Sequence, residues 1–350
     1  MHIKQLTLQN FRSHKKQDFF FDKTTIIIGK NTAGKTNILE AVNFLSSGKS
    51  FRAEKELDTI FSNEAFAKIM GLIEENGEQT NLGLILTNQS TDERENIFRK
   101  KFLVNDVPRR QIDFVTNFYS VLFTPEDVEI ISASPSTRRK YIDSILYKAF
   151  KHYRLALLTY DRSLRARNKM LSDIAEGKKR YSDKDFDYWN TVLIENGKIL
   201  TDEREKFVEY LNNAKKEVFN FNVFYDKSTI TNERFNKYYQ AERASGITLI
   251  GPQRDEFVFL KKPTETVREF GSRGEQRLTI FQTKILEVRF LKEKTSRDPV
   301  LLLDDIFSEL DAGNINKIFE LLPNQQTIIT TTHDEFVPNA IRGKVKMLKL

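Results

Sequence analysis

The stretch TTIIIGKNTAGKT at residues 24–36 constrains the fold of this chain more than any other part of its sequence. Its first five residues are β-branched, which is typical of a buried parallel strand. The octet that follows, from Gly29 to Thr36, fits the pattern G-x-x-x-x-G-K-[ST], and apolar residues then recur at helical spacing in NILEAVNFL. A strand, a glycine-bearing turn and a helix in this order predict a phosphate-binding loop, because the helix N-terminus and the N–H groups of the turn face the phosphate oxygens.

The residues of this loop have separate expected roles in binding a nucleoside triphosphate and Mg²⁺. Lys35 would neutralise the β- and γ-phosphate oxygens, and the hydroxyl of Thr36 would bind Mg²⁺. The N–H groups of the other positions would surround the phosphates: Gly29, Lys30, Asn31, Thr32, Ala33 and Gly34.

A second Gly-Lys-Ser tripeptide, at residues 48–50, has a different context. The first glycine of its octet would fall at Asn43, in the middle of the predicted helix, and no strand precedes it. Gly48 is instead expected to end that helix as a C-cap. The sequence therefore predicts a phosphate-binding loop at 29–36 and not at 48–50.

Two acids follow another apolar strand near the C-terminus. Val300–Leu303 is entirely aliphatic and leads directly to Asp304 and Asp305. In a triphosphatase one acid completes the Mg²⁺ shell and another group orients the attacking water, and we assign Asp304 and Asp305 to these roles. A third apolar strand, in TIITTTHDEF, leads to His333, which would either reach a γ-phosphate or be an ordinary surface histidine.

The segment GSRGEQ at 271–276 precedes a helix with regularly spaced apolar residues. Ser272 and Glu275 are three residues apart, which predicts a capping box at the helix N-terminus. The same N-terminus, with Gly274 beside the serine, would also bind a phosphate. Because the loop at 29–36 already supplies one phosphate site, the second one suggests a contact with the nucleotide of another subunit.

Composition narrows the class of protein further. The chain contains no cysteine, which excludes disulfides and thiolate metal sites and suits a reducing cytosol. Its N-terminus has no apolar signal-peptide core, and no apolar run approaches the roughly 20 residues of a membrane-spanning helix. The sequence therefore predicts a soluble, cytoplasmic protein of about two domains.

The net charge of +7 is concentrated in residues 131–180, which hold thirteen Lys and Arg against four acids. Arg162, Arg165 and Lys169 share one face of a predicted helix, so contacts with the phosphates of an anionic partner such as nucleic acid are expected there, although a solvated helix face is the alternative. A second expected cluster lies at the start of the preceding helix: Arg138, Arg139 and Lys140. No motif for reading base edges appears, so binding to the nucleic-acid backbone, independent of sequence, is predicted.

Several motifs, in their order along the chain, resemble those of ABC-type ATPases of the SMC branch. They are the phosphate loop, the S-x-G-E/Q segment, the LLLDD segment, and SELD at 308–311, which is similar to the D-loop of that superfamily. More narrowly, the chain resembles the RecF family of bacterial recombination mediators. The stretches that carry this resemblance are LTLQNFRSH at 6–14, GKTNILEAV at 34–42, GKSFR at 48–52, LFTPEDVEIISASPSTRRKYID at 122–143, YDRSLRARNKML at 160–171, GPQRDEF at 251–257 and LLLDDIFSELD at 301–311.

The resemblance implies an α/β fold. An ABC-type ATPase head, with a P-loop and a mixed sheet, would carry an inserted, mostly helical second lobe without a long coiled coil. The expected head is discontinuous, 1–130 together with 246–350, and the helical lobe is 131–245, basic at 131–180. The sequence pattern agrees, because 131–245 is rich in predicted helix and has no sustained heptad repeat.

The resemblance also implies a function in recombinational repair, replication restart and the SOS response. Members of the family form ATP-dependent homodimers on single-stranded and double-stranded DNA, favour gaps or junctions, and work with RecR and RecO to load RecA. In such a dimer Ser272, Gly274 and Glu275 would contact the partner's ATP. Arg12 is similar to a family arginine near the nucleotide, and the Q-loop residue is expected near 125–127.

Two loop positions depart from the family pattern. Thr32 stands where glycine is usual, which stiffens the turn and leaves the N–H groups available. Asp305 stands where most ABC ATPases have glutamate, and its shorter side chain lies further from the attacking water. We therefore expect weak, slow, DNA-stimulated ATP hydrolysis, with ATP acting as a switch; rapid turnover without DNA would contradict this.

Other classes of ATPase remain as alternatives. An ABC-headed DNA nuclease is expected to need a further acidic metal-binding domain after residue 350. A transporter ATPase usually has two adjacent glycines in its signature, which SRGEQ lacks, and has no large basic helical insert. An SMC-like structural ATPase is a further alternative.

Overall fold

The computed structural model describes residues 1–90, 96–309, 313, 317, 320, 325–332, 335, 337, 342–343 and 345–350. The strands are β1 (His2–Phe11), β2 (His14–Phe20), β3 (Thr24–Ile28), β4 (Phe66–Glu75), β5 (Glu78–Ser90), β6 (Asn96–Val104), β7 (Val107–Arg109), β8 (Ser120–Phe123), β9 (Asn222–Asp226), β10 (Glu256–Lys262), β11 (Glu265–Thr266), β12 (Val300–Leu303), β13 (Thr327–Thr331) and β14 (Lys346–Lys349). The helices are α1 (Lys35–Ser47), α2 (Gln111–Phe114), α3 (Glu129–Ser132), α4 (Pro135–Ala149), α5 (Lys151–Ala175), α6 (Asp183–Asn213), α7 (Asn232–Ser245), α8 (Val267–Phe270), α9 (Arg273–Thr295) and α10 (Ile306–Glu309).

These elements form two compact units. The first unit is Met1–Asp127 with Lys284–Leu350, and the second is Val128–Thr283. The division differs from the predicted one mainly in residues 246–283, which lie in the second unit because β10 pairs there with β9. None of the helices among the described residues is long and apolar enough to cross a membrane.

A five-stranded parallel sheet positions the phosphate loop in the first unit. Its order is β14-β3-β13-β12-β8, and Ile26 of β3 lies opposite Ile329 of β13 and Met347 of β14. The side chains of β12 and β13 are buried throughout, as are four of the five in β3. Because parallel strands end at the same edge of a sheet, the segments that follow β3 and β12 are brought together there.

A six-stranded antiparallel sheet, in the order β2-β1-β4-β5-β6-β7, completes the first unit. Burial alternates along β4, as expected for strands with one covered face. Gly71 of β4 lets α1 approach this sheet closely, since a Cβ at that position would lie 2.5 Å from Leu45 Cδ1. The helix that follows the phosphate loop is therefore supported by both sheets.

The second unit combines α3–α8 and the start of α9 with a three-stranded antiparallel sheet, β11-β10-β9. Met170 and Leu171 of α5 pack against Phe186 of α6 in a small apolar cluster. Trp189 is half-buried against this cluster.

A buried polar network connects the helices and the sheet of the second unit. The guanidinium of Arg204 donates to the carboxylates of Asp143 (2.8 Å) and Asp255 (2.8 Å) and to the carbonyl of Pro252 (2.8 Å). Asp255 is fully buried and also accepts from the Tyr225 hydroxyl at 2.5 Å. The GPQRDEF stretch thus supplies a structural hub for α4, α6 and β9.

Candidate nucleotide-binding site

The loop between β3 and α1 has the backbone that a phosphate-binding loop needs. Gly34 adopts a φ of 92°, and a Cβ there would lie 2.7 Å from both His14 Nε2 and Ser13 Oγ. Glycine is therefore required at position 34 by conformation and by space. Thr32 also has a positive φ, 74°, which is strained for a β-branched residue.

The second Gly-Lys-Ser tripeptide forms a helix end, as predicted. Gly48 has a φ of 67°, and its N–H donates to the carbonyl of Phe44 at 2.8 Å, which confirms the C-cap. The hydroxyl of Ser50 accepts from the N–H groups of Arg52 and Ala53, so this segment turns on itself.

Lys35 reaches back over the phosphate loop. Its ammonium group donates to the carbonyls of Gly29 at 2.6 Å and Lys30 at 2.9 Å, and the side chain is only 8% exposed. Burial lowers the pKa of Lys35, and the nearby carboxylates of Asp305 and Asp304 oppose this shift. The lysine therefore lies within electrostatic reach of both acids that follow β12.

Thr36 and Asp304 meet at the edge of the parallel sheet. The Thr36 hydroxyl donates to Asp304 Oδ1 at 3.1 Å, and the Thr330 hydroxyl of β13 donates to the same oxygen at 2.6 Å. A hydroxyl beside a carboxylate is a set of hard oxygen donors, which suits Mg²⁺. The two residues assigned to Mg²⁺ from the sequence are thus in hydrogen-bond contact, although they lie 268 positions apart.

Asp305 follows in a left-handed backbone conformation, with a φ of 48°. Its N–H donates to the Thr330 hydroxyl at 3.0 Å, so one threonine contacts both acids. This bond fixes the turn in which β12 ends, beside Lys35.

Other charged and polar residues adjoin the acid pair. Burial raises the pKa of Asp304, and among nearby charges Glu126, in the segment where the Q-loop residue was expected, raises it further while the unassigned Arg52 lowers it. His14 is buried and its Nε2 is 3.2 Å from the carbonyl oxygen of Gly34. Thr330 carried one signal in the sequence, since it is a polar residue in a strand expected to be fully buried.

Arg12 lies beside α1 and is already paired. Its guanidinium makes a bidentate contact with the buried carboxylate of Glu40, at 2.7 and 2.9 Å, and donates to the carbonyl of Asp58. Glu40 is one helical turn after Thr36, so Arg12 is positioned next to the first turn of the loop helix.

The predicted capping box at the start of α9 is confirmed. The N–H of Ser272 donates to Glu275 Oε2 at 2.8 Å, and the N–H of Glu275 donates to Ser272 Oγ at 3.2 Å. Ser272, Arg273 and Gly274 are exposed. A Cβ at Gly274 would find only Ser272 Oγ, 3.9 Å away, so nothing in this unit requires glycine at that position.

Arg138 corrects the predicted set of DNA contacts. Its guanidinium is buried, pairs with both carboxylate oxygens of Glu256 at 2.8 and 3.0 Å, and donates to the carbonyls of Ile131 and Ala133. Arg139 is half-buried and donates to the carbonyl of Asp255. These two arginines stabilise the second unit, and four of the five N–H donors of the buried Arg138 are already used on protein oxygens.

The other predicted DNA contacts are on the surface of the second unit. Arg162, Arg165 and Lys169 are exposed on α5, and Lys140 is exposed on α4. Lys169 pairs with Asp173 at 2.7 Å, whereas neither Arg162 nor Arg165 has a hydrogen bond or ion pair with any residue the structure describes. His333 lies outside the described residues, as do Leu310 and Asp311 of the predicted D-loop.

Taken with its sheets, the site of the first unit defines an ABC-type ATPase head, with a phosphate loop after β3 and an acid pair after β12. Residues 2–349 match the family described as RecF/RecN/SMC N terminal domain. The chain is 31% identical to the DNA replication and repair protein RecF of Halalkalibacterium halodurans, over 95% of this chain and 93% of that protein. It is 32% identical to RecF of Agathobacter rectalis, over 99% of both. The chain belongs to the RecF family.

Solved structures agree with this assignment and with the predicted fold class, which is confirmed. A structure described as the recombination mediator protein RecF-ATP in the RecFOR pathway has a TM-score of 0.86 and 28% identity, covering 96% of this chain and 93% of that chain. A second one, with ATPrS, has a TM-score of 0.85 and 28% identity, covering 96% and 94%.

Replacing the buried Asp304 with asparagine should stabilise the protein when Mg²⁺ is absent. Burial raises the pKa of Asp304, so its ionisation opposes folding as the pH rises through that raised pKa. Asp304→Asn should therefore be more stable at pH 7, by about 0.5–2 kcal/mol, as is common at functional sites. The advantage should shrink as the pH falls toward the ordinary range of aspartate, where the wild-type side chain is protonated.

Thermal melting at pH 7 and pH 5 in Mg²⁺-free buffer measures this difference. Adding Mg²⁺ and nucleotide should raise the melting temperature of the wild type more than that of Asp304→Asn. A variant that melts below the wild type in Mg²⁺-free buffer at pH 7 would contradict the assignment of Asp304 as a metal-binding acid whose buried charge destabilises the folded state.

Proposed function

We propose that this protein is a DNA-binding ATPase of recombinational repair, in which ATP controls the grip on DNA. The observation that carries the proposal is the convergence of Lys35, Thr36 and Asp304 at one edge of the parallel sheet. Relatives at about 30% identity are named DNA replication and repair proteins, and the similar solved structures contain ATP or ATPrS. ATP with Mg²⁺ is the proposed ligand of this site.

Each nucleotide would be enclosed by two copies of the chain. Gly274 supports this arrangement, since its own surroundings leave room for a side chain, and a glycine kept in open space permits close approach of a phosphate. The capping box already orients the serine hydroxyl and the N–H groups of α9 at an exposed helix N-terminus. Ser272, Gly274 and Glu275 would therefore contact ATP bound to the phosphate loop of the partner.

Hydrolysis would release the dimer. Lys35 would hold the γ-phosphate, and Asp305 would orient the attacking water. Arg12, which lies beside α1, would be close to the bound nucleotide. The proposed division of labour gives nucleotide binding to the discontinuous head, 1–130 with 246–350, and DNA contact to the lobe at 131–245. By resemblance to the family, RecR with RecO and indirectly RecA are the proposed partners at gaps, in the cytoplasm.

The DNA contact is proposed on α5 and α4. Arg162 and Arg165 are the strongest candidates because their guanidinium groups have no protein partner among the described residues. Lys169 and Lys140 extend the same basic surface, and the surface pair between Lys169 and Asp173 costs little to break. Arg138 is buried and paired with Glu256, so it is not part of this surface.

Removing the two unpaired arginines should weaken DNA binding in a salt-dependent way. The slope of log affinity against log salt is negative, and each lost phosphate contact should make it about 0.9 less negative. Arg162→Ala/Arg165→Ala should therefore make the slope less negative by about 2, with little dependence on DNA sequence. Titrations of gapped duplex with ATP at several salt concentrations measure this slope. The matched control is Lys198→Ala/Lys206→Ala, which removes two exposed lysines that are paired with Asp202 and Glu203.

The location of the DNA contact and the effect of ATP on DNA binding are tested by different outcomes. An unchanged slope in the arginine variant, or an equal loss in the lysine control, would remove α5 from the DNA interface. If wild-type protein binds gapped duplex equally with and without ATP, the switch itself is wrong, whatever the location of the DNA contact.

A further inference from the structure

A cavity of about 380 Å³ lies in the second unit, and neither Arg162 nor Arg165 lines it. It is lined by residues of α5, α6 and α7, and its rim on α7 is exposed. The volume falls within the range of about 300–1,000 Å³ that is usual for small-molecule sites.

The walls of this cavity are a ladder of flat groups. The Arg167 guanidinium lies 4.3 Å from the ring centroid of Phe235 and 5.4 Å from that of Phe186. Arg243 lies 5.4 Å from Phe186 and 4.4 Å from Tyr239. Phe186, Phe235 and Arg167 are buried within this stack, whereas Tyr239 and Arg243 remain partly exposed, so another planar group can stack at the Tyr239 end.

The ladder is rigid before any ligand arrives. Arg167 is buried and donates to Glu242 at 2.6 Å, to Asn190 Oδ1 at 2.8 Å and to the Thr248 hydroxyl at 2.8 Å. Asp183 accepts from both the Tyr239 hydroxyl and Arg243. A ligand that stacks here therefore has little ordering of the walls to overcome.

Amide groups line the open side of the cavity. Asn236 and Gln240 are one helical turn apart on α7, both are exposed, and neither side chain has a hydrogen bond with any described residue. Asn190 uses its oxygen on Arg167, which leaves its NH₂ group available. Amides carry a donor and an acceptor side by side, the pattern that matches the edge of a nucleobase.

We propose that this cavity binds an unpaired nucleobase of single-stranded DNA. The base would stack at the partly exposed end of the ladder, on Tyr239 and Arg243, and present its edge to Asn236 and Gln240. Lys237, exposed at the rim and without an ion pair among the described residues, would meet the adjoining phosphate. Bases in a duplex are stacked and cannot enter a concave site, so this cavity would distinguish the single-stranded part of a gap from its duplex flanks.

This inference rests on the proposed DNA-binding function and adds a base-binding site to it. The test uses the full-length protein and Asn236→Ala/Gln240→Ala, with Asn232→Ala as the control on the same helix outside the cavity. Affinities are measured by fluorescence anisotropy for a labelled single-stranded oligonucleotide, the same strand with abasic positions, and a duplex of equal length.

The double variant should bind the single strand about tenfold more weakly, as for the loss of the edge hydrogen bonds of one base, and bind the duplex as the wild type does. Abasic positions should weaken binding to the wild type more than binding to the variant, because the variant keeps the stacking surface and has already lost the contacts to the base edge. The control should match the wild type on all three probes.

Equal single-strand affinity for variant and wild type would overturn the proposal, as expected if the cavity receives a protein side chain instead. Equal affinity of the wild type for the intact and abasic strands would also overturn it. Failure of the wild type to bind duplex in an ATP-dependent manner would count against the proposed function, and is a separate result.

Discussion

Replacing Lys35 with methionine should abolish the response of DNA binding to ATP. The ammonium group is the one cation of the phosphate loop that points inward, where it lies near both Asp304 and Asp305. Loss of one charge-assisted hydrogen bond, worth about 1.5–3 kcal/mol, should weaken nucleotide binding roughly 10- to 150-fold. Nucleotide affinity is measured by calorimetry, and DNA affinity on gapped duplex with and without ATP.

The chain contains its own control for this experiment. Lys49 stands in the second Gly-Lys-Ser tripeptide, which forms a helix end, so Lys49→Met should leave both affinities unchanged. If Lys35→Met still tightened its grip on DNA when ATP was added, the nucleotide switch would have to act through another site. If Lys49→Met lost the response as well, the distinction between the two tripeptides would be wrong.

Replacing Arg204 with methionine should destabilise the protein by about 3–5 kcal/mol, the usual cost of breaking a buried ion pair from one side. The variant would leave the carboxylates of Asp143 and Asp255 without their cation, and Asp255 is fully buried. Methionine keeps an unbranched apolar stem but ends before the position of the guanidinium, so the variant loses the charge, its hydrogen bonds and some packing together. Urea denaturation followed by circular dichroism measures the free energy of unfolding of the cooperative transition that contains the second unit.

Arg162→Met is the matched control, because it makes the same substitution at an exposed position without an ion pair among the described residues. Its free energy of unfolding should lie within about 0.5 kcal/mol of the wild type. A variant of Arg204 that is as stable as this control would mean that the carboxylates find other partners, and that the network is not the hub of the second unit.

Local sequence was sufficient for the parts of the site that are contiguous in the chain. The octet from Gly29 to Thr36, the C-cap at Gly48 and the capping box at Ser272 each depend on a few neighbouring residues, and each was predicted. Asp304 could be assigned to Mg²⁺ because it follows an aliphatic strand, and the structure places it against Thr36.

The contacts that sequence could not supply are those set by register and burial. Thr330 reaches Asp304 only because β13 lies beside β12, and His14 reaches Gly34 only because β2 passes the loop. Arg138 and Arg162 are equivalent in a count of charges, yet one is paired with Glu256, 118 positions away, and the other is exposed. A local pattern carries no information on so distant a partner.

The strand before the phosphate loop has both of its neighbours at the other end of the chain. β3 ends at Ile28, whereas β13 begins at Thr327 and β14 at Lys346, and Gln326 even bonds the backbone of Ile3 through its side-chain amide. During synthesis on the ribosome, this apolar strand would therefore emerge long before anything can pair with it. Closing so long a loop is slow, and a nascent or truncated chain cannot assemble the nucleotide site. Nucleotide binding should thus require that β13 and β14 have been synthesised and have paired with β3.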